Sequence, residues 1–285
     1  MNKFIDLHTH STCSDGTLTP SEVVKLAKEK GLSAIALTDH DTIDGLHEAI
    51  ETGREIGIEV ITGIEFSVAG DTEMHLLGLD FDLDCPAITQ ILDEMIVQRE
   101  KRNYIVIELL ENLGIHITID EIHAQSTSPV TGRSQIAKVM LKKSYVSSIK
   151  EAFDKYLAFG RPAYVERSTL TPEEAIEIIH KSGGKAFLAH LNQTGKSDEE
   201  LYKLLRHMKE CGLDGIEGYY TEYTDEMNIN YRKMAEDIGL LLSGGSDFHG
   251  TNKDGYEIGT GKGNLKIPYE LIEKIRIYRR AINSE

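Results

Sequence analysis

In the stretch Phe4-Ile5-Asp6-Leu7-His8-Thr9-His10-Ser11-Thr12-Cys13-Ser14-Asp15-Gly16, an apolar strand runs straight into two histidines and a tight polar turn. Phe4, Ile5 and Leu7 read as a short buried strand with His8 and His10 at its end. Residues two apart in extended chain point to the same side, so both imidazoles can face one point in space. Asp15 follows five residues later, in a Ser/Asp/Gly turn able to fold its carboxylate back toward the pair. Two nitrogens and an oxygen at that spacing are the beginning of a metal site. The plainer alternative is a polar strand end with solvated histidines. How the later strands end decides between the two.

Working outward, Thr19-Pro20-Ser21-Glu22 is a capping box with proline at the first helical position, and Val23, Leu26 and Ala27 supply its apolar stripe. Ala34–Leu37 is a short apolar run followed at once by Thr38-Asp39-His40. A helix over about 44–56 leads to a strand beginning at Val60-Ile61, with Glu65 just past it, and Met74–Leu79 is a strand carrying His75 near its start. The rhythm returns at Thr171-Pro172-Glu173-Glu174, a second capping box. The strand 186–189 then ends in His190, 215–217 is another strand, and 240–243 runs into Gly244-Gly245-Ser246-Asp247-Phe248-His249. A last amphipathic helix covers about 269–281. Strands alternating with helices over short links predict parallel strands joined by helical crossovers, with the site at the strands' carboxyl ends. Residues 99–162 break the rhythm with helices over 99–113, 134–143 and 147–159. They are expected to form a helical insertion covering the active site, leaving 1–98 and 163–285 as the barrel core.

Length and composition bound the class. The 285 residues are 40% hydrophobic and 27% charged, which suits one large globular domain with an insertion. No apolar run is long enough to span a bilayer, no leader is evident at the N-terminus, and a cytoplasmic protein without a membrane partner is expected. Cys13, Cys85 and Cys211 read as free core thiols. The net charge of −16 argues against a broad basic face for duplex DNA. It is unevenly spread: residues 99–165 hold 10 Lys/Arg against 7 Asp/Glu, which favours a small anionic substrate locally.

The strand-end residues together are His8, His10, Asp15, His40, Glu65, His75, His190, Asp247 and His249. Six of the 11 histidines belong to this set; His47, His116, His123, His180 and His207 read as solvated or core-satisfied. This is more than one ion needs, whereas two or three divalent ions sharing a bridging carboxylate use all nine groups. Such a site is strongly positive, fit to bind a phosphate and to lower the pKa of a bridging water toward neutrality. Metal-assisted phosphate ester hydrolysis by a metal-bridged hydroxide is the natural reading.

These motifs, with Thr38–Thr42, Phe159–Val165 and Gly263–Pro268, resemble the PHP (polymerase and histidinol phosphatase) family along the whole chain. The chain looks most like the bacterial members with a helical insertion that act on nucleoside monophosphates and 3′,5′-bisphosphates, some on short RNA ends. The resemblance implies an α/β fold, a distorted (β/α)7 barrel with a mainly helical inserted subdomain. It further implies a trinuclear centre: His8, His10, Glu65 and Asp247 at one ion, Asp15, His40 and His249 at a second, and Glu65 bridging to a third held by His75 and His190. Asp15, Glu65, Asp247 and His249 carry the catalytic chemistry. Arg133 is expected to reach the substrate phosphate, with Gln135 beside it. Manganese is the first choice of ion, with iron, zinc or magnesium as alternatives.

Three departures stand out from the family pattern. Relatives often place histidine at Gln135, proline at Leu191 and histidine near Tyr223, and none of the three is a ligand position. Tyr219, Tyr220 and Tyr223, following a buried strand, read as packing, with stacking on a base at the pocket rim as the alternative. The expected activity is a phosphomonoesterase acting on a 3′,5′-bisphosphonucleoside or AMP-like nucleotide. The alternatives are histidinol phosphate phosphatase, a 5′-3′ exonuclease on short RNA, and a non-catalytic nucleotide- and metal-binding module.

Overall fold

Seven strands pair in sequence order to form one sheet: β1 (Ile5–Asp6), β2 (Ala34–Leu37), β3 (Glu59–Val68), β4 (Met74–Leu79), β5 (Lys185–Leu188), β6 (Gly215–Tyr220) and β7 (Leu241–Gly245). The helices are α1 (Pro20–Glu29), α2 (Leu46–Ile56), α3 (Pro86–Glu111), α4 (Ile119–His123) and α5 (Arg133–Lys142) in the first half. They continue as α6 (Ile149–Ala152), α7 (Pro172–Lys181), α8 (Asp198–Glu210), α9 (Asp225–Ile238) and α10 (Glu270–Ile277). This computed structural model describes residues 3–72, 74–125, 131–165 and 169–278, so the last residues of the expected 269–281 helix lie outside it. The chain divides into two compact units, Met1–Ile88 with Leu170–Glu285, and Thr89–Thr169.

The barrel unit follows the sequence rhythm with one reversal. β1, β2 and β3 are parallel, as are β5, β6 and β7, but β4 runs antiparallel to both of its neighbours. The expectation of parallel strands throughout fails there because only residues 69–73 separate β3 from β4. A parallel return needs a crossover of roughly a dozen residues or more, so a hairpin is the geometry left. The reversal also explains His75. The start of an antiparallel strand lies at the same end of the sheet as the carboxyl ends of its parallel neighbours.

Glu65 is inside β3, not just past a strand, because β3 continues beyond its pairing with β2 to match β4, with Glu65 opposite Leu77. Both capping boxes form as their spacing predicts. The hydroxyls of Thr19 and Thr171 accept from the N–H groups of Glu22 and Glu174, and those carboxylates accept in return from the threonine N–H groups at 2.8 Å.

Ile5, Leu7, Ala34, Ala36, Leu77, Leu79, Phe187 and Ala189, alternating along their strands, form one buried cluster with Leu271, Ile272 and Ile275 of α10. The sheet nearly closes on itself at the seam between β1 and β7. There Leu7 N–H donates to the Gly244 carbonyl (3.0 Å), Asp247 N–H to that of His8 (2.9 Å) and His10 N–H to that of Phe248 (2.9 Å). The two chains approach so closely that a Cβ at Gly245 lands 2.2 Å from the His8 Cβ and 2.5 Å from its backbone nitrogen.

The second unit has its own core, in which Val106 and Leu110 of α3 pack with Ile122 of α4 and with Ile136, Val139 and Met140 of α5. α3 begins at Pro86, well before the expected 99, with proline opening the helix as it did for α1. The expected helix over 147–159 is a short α6 followed by a π-helical turn, Phe153–Leu157. Cys13, Cys85 and Cys211 are half-buried free thiols and not core residues. Among the described residues no helix is long and apolar enough to cross a membrane.

The seam leaves no room for a side chain at position 245. Gly245→Ala is expected to lower unfolding free energy by about 3 kcal/mol through forced separation of β1 and β7, read from the midpoint of urea denaturation; an unchanged midpoint contradicts this packing.

Candidate metal centre

Glu65 is the hub of the site. Its Oε2 lies 3.4 Å from His8 Nε2, 3.2 Å from His10 Nε2 and 3.0 Å from His40 Nδ1, while Oε1 lies 2.9 Å from His75 Nδ1 and 3.0 Å from His190 Nε2. Asp247 Oδ1 joins the first group, 3.5 Å from His8 Nε2 and 3.4 Å from His10 Nε2. Asp15 Oδ1 is 3.2 Å from His249 Nε2, and its Oδ2 is 3.9 Å from His40 Nε2. All nine strand-end residues expected from the sequence therefore meet at one end of the barrel. Seven of them fall into overlapping sets with donor atoms close enough to share an ion: His10, Asp15, His40 and His249; His8, His10 and Glu65; and His40, Glu65 and His75.

The donor set itself answers whether divalent cations fit. His8 Nε2, His10 Nε2, His40 Nδ1 and Glu65 Oε2 are buried and make no hydrogen bond. A buried polar atom left unsatisfied costs roughly 1–3 kcal/mol, and these four surround one point. A cation there uses the lone pairs that no donor in the protein meets. Charge says the same. Burial disfavours a charged imidazole at His8 and His10, yet Glu65, Glu217 and Asp247 hold His8 well above the usual histidine range, and Asp247 and Glu65 lift His10 to about 9. Burial wins at His40, which is pushed down to about 4 with the neighbouring His10 and His75 opposing its attraction to Glu65. Against their own burial, Glu65 and Asp247 are held well below the carboxylate range by the imidazoles around them. The cluster demands positive charge, and ion binding displaces protons that the imidazoles otherwise share.

A supporting layer fixes the donors, and the sequence reading missed it. Glu217, fully buried in β6, accepts from His8 Nδ1 (3.0 Å) and from the backbone N–H of His190 (2.7 Å). That bond fixes which ring nitrogen His8 turns inward. Asp39 accepts from the Ser11 N–H and from the Ser11 and Ser14 hydroxyls, all at 2.6–2.7 Å, and so shapes the turn that presents Asp15. Asp6 accepts from Ser246 and Gly259, anchoring the loop that carries Asp247. Tyr220 Oη donates to Asp247 Oδ2 at 2.9 Å, and the Lys253 ammonium contacts the same oxygen, leaving Oδ1 for the cluster. The one available signal was an acidic residue inside an apolar strand, as at Asp6 and Glu217. Backbone strain gathers here too: Asp41, His190 and Asp247 have φ of 51°, 25° and 56°, a region non-glycine residues seldom occupy.

Arg133 and Gln135 lie in the second unit, at the start of α5. Arg133 Nη1 donates to the Leu157 carbonyl (3.1 Å), and its guanidinium sits 5.4 Å from the centre of the Tyr164 ring. Gln135 Oε1 accepts from the Gly132 N–H (3.0 Å), closing the helix start. Tyr220 and Tyr223 are buried, so base stacking at a rim does not describe them; Tyr219 is half-buried beneath the guanidinium of Arg232. The departure at Leu191 has a partner. The Leu191 N–H, which proline would lack, donates to Tyr223 Oη at 2.8 Å, and Tyr223 in turn donates to the Glu217 carbonyl.

A nearly closed α/β barrel with imidazoles and carboxylates massed at one end of its strands is the architecture of a barrel metallohydrolase. The family model for the PHP domain matches residues 6–182. A 5′-3′ exoribonuclease of Haemophilus influenzae is 38% identical over 253 residues, 87% of this chain and 91% of the relative. A 3′,5′-nucleoside bisphosphate phosphatase of Chromobacterium violaceum is 33% identical over 257 residues, 90% of each chain. A solved Chromobacterium violaceum structure described as an amidohydrolase, with bound sulfate and no metal, superposes with a TM-score of 0.74 at 32% identity, covering 90% of this chain and 89% of that one. The chain belongs to the PHP family, and it is a hydrolase acting on phosphoester bonds.

Glu217→Gln keeps the volume of the supporting carboxylate but replaces one of its two acceptors with a donor facing an N–H. A 10–100-fold loss of Mn²⁺ affinity is expected, measured by calorimetric titration of metal-stripped protein. Affinity equal to wild type means His8 is not oriented by this contact.

Proposed function

We propose that this chain hydrolyses a phosphomonoester of a small nucleotide, a 3′,5′-bisphosphonucleoside or AMP-like compound, with two to three divalent ions. In this reading His8, His10, Glu65 and Asp247 hold one ion, Asp15, His40 and His249 a second, and His75 and His190 with Glu65 a third. The observation that carries it is the convergence of four hydrogen-bond-free buried donors, His8 Nε2, His10 Nε2, His40 Nδ1 and Glu65 Oε2. Manganese is the preferred ion, since mixed imidazole and carboxylate donors suit it, with iron, zinc or magnesium as alternatives. Bound there, divalent ions supply Lewis acidity, lowering the pKa of water and neutralising phosphoryl oxygens.

The residues themselves do the positioning. Glu65 sets the distance between imidazole groups through its two oxygens. Glu217 and Asp6 hold the barrel ends of His8 and Asp247 in register, so that the donors need no rearrangement as charge develops on phosphorus. Arg133 is assigned to the substrate phosphate, where a planar guanidinium matches two oxygens at once. Gln135 offers an amide where relatives often have an imidazole, so it can orient a substrate oxygen but cannot transfer a proton.

A second reading, trimming of short RNA from a 5′ end, is favoured by the identity of 38% with the exoribonuclease relative. The two readings share the ion-holding residues and differ in what leaves the phosphorus.

One assay separates them. Metal-stripped protein is reloaded with Mn²⁺ and given 3′,5′-bisphosphoadenosine, AMP, histidinol phosphate and a 5′-phosphorylated tetraribonucleotide. Fast phosphate release from the first two is expected, with Asp247→Asn slower by roughly a thousandfold. Stepwise shortening of the tetramer without monoester release sinks the phosphomonoesterase reading in favour of the exonuclease. Arg133→Ala is expected to raise KM about tenfold with a smaller change in kcat, the pattern of lost phosphate binding; an unchanged KM removes Arg133 from the site.

A further inference from the structure

Away from the barrel's ligand end, three side chains on α7 and α8 bring together three different donor elements. Cys211 Sγ is 3.7 Å from Glu173 Oε1 and 3.9 Å from His207 Nε2, and His207 Nε2 is 3.9 Å from Glu173 Oε1. None of the three is among the nine barrel donors. The triangle is nearly equilateral, and a point at its centre lies roughly 2.2 Å from all three atoms, within the span of Zn–S, Zn–N and Zn–O bond lengths.

We infer that Glu173, His207 and Cys211 form a second metal site, specific for a borderline-soft divalent cation such as Zn²⁺, that ties α7 to α8. The donors reach it without strain. His207 and Cys211 are four apart at the end of α8, on one face of the helix, and the Cys211 N–H still donates to the His207 carbonyl at 3.1 Å. Glu173 comes from the first turn of α7. The carboxyl end of the thirteen-residue α8 adds its partial negative charge toward a cation. Thiolate, imidazole and carboxylate together select Zn²⁺ over the harder Mg²⁺, Ca²⁺ and Mn²⁺.

A hollow of about 520 Å³, lined by Ile176, Glu177, His180 and Lys181 besides Glu173 and Cys211, adjoins the triangle and leaves room for a water ligand on the open side of the ion. Neither ionisable group nearest that opening competes for the ion: Glu177 is paired with Lys181 at 2.7 Å, and His180 Nε2 with Asp214 at 2.8 Å. Binding exchanges the thiol proton for the cation. The S–H bond, whose hydrogen is now directed at Glu173, breaks, the sulfur–metal bond forms, and one proton leaves to solvent.

The experiment uses the full chain with its barrel centre first filled by Mn²⁺, followed by titration with Co²⁺ as a spectroscopic substitute for Zn²⁺. A near-ultraviolet thiolate-to-cobalt charge-transfer band saturating at one equivalent is expected, because none of the nine barrel donors is a thiol. Cys211→Ser should abolish the band and weaken competing Zn²⁺ binding by on the order of 100-fold, and His207→Ala should weaken it by roughly tenfold or more. Circular dichroism checks that both surface variants are folded, and phosphate release with Mn²⁺ should match wild type in each. The assignment is overturned if wild type shows no band, if the band survives Cys211→Ser, or if Cys211→Ser loses phosphate release in step with the band.

Discussion

One buried carboxylate, Glu65, stands within 3.4 Å of five imidazole nitrogens, and the architecture of the barrel follows from keeping it there. A charge so placed is tolerable only if its surroundings supply compensating charge and donors. The five histidines come from the ends of β1, β2 and β5 and from the start of β4, and several are braced from further out. Glu217 fixes His8 and the backbone of His190, and Asp39 fixes the turn that follows His10. The result is a layered site: a hub, a ring of donors, and an outer set of buried acids whose hydrogen bonds are satisfied by backbone and hydroxyl groups. Four inner donor atoms, His8 Nε2, His10 Nε2, His40 Nδ1 and Glu65 Oε2, make no hydrogen bond, and that difference between layers marks where cations fit.

How much of this was legible depends on the range over which each signal acts. Capping boxes at Thr19 and Thr171 are local, and both were plain in the sequence. The ligand set was legible because histidine has no packing reason to recur where apolar runs stop, so His8, His40 and His190 stood out together. The direction of β4 was hidden by treating all strand–strand links alike, although the shortness of the link after Val68 carried the answer. Glu217 and Asp6 were hidden for another reason. A buried acid inside an apolar strand reads as an exception until the histidine or hydroxyl it serves, hundreds of residues away, is brought beside it. The hydrogen bond of Tyr220 was hidden for the same cause: its partner, Asp247, lies on another strand's loop.

The contact between Leu191 and Tyr223 shows how a family pattern can change without loss. A donor at one position and a hydroxyl at the other satisfy each other and brace the Glu217 backbone. Departures at this layer therefore say little about chemistry. The departure at Gln135 lies in the second unit, where its side chain closes the start of α5 by accepting from the Gly132 N–H.

The seam between β1 and β7 has a consequence for how the protein is born. Its hydrogen bonds join residues 7–10 to residues 244–248, and the donors contributed by the two sides are separated by roughly 240 residues of chain. At about 5–20 residues per second of synthesis, His8 and His10 leave the ribosome some tens of seconds before Asp247 and His249. During that interval β1 presents an unpaired edge, and the first histidines have only part of their eventual company. Barrel closure and assembly of the full donor set are thus a single late event. A nascent chain stalled before residue 247 has most of its strands in place and no complete donor set, so the centre comes together only after His249 has been made.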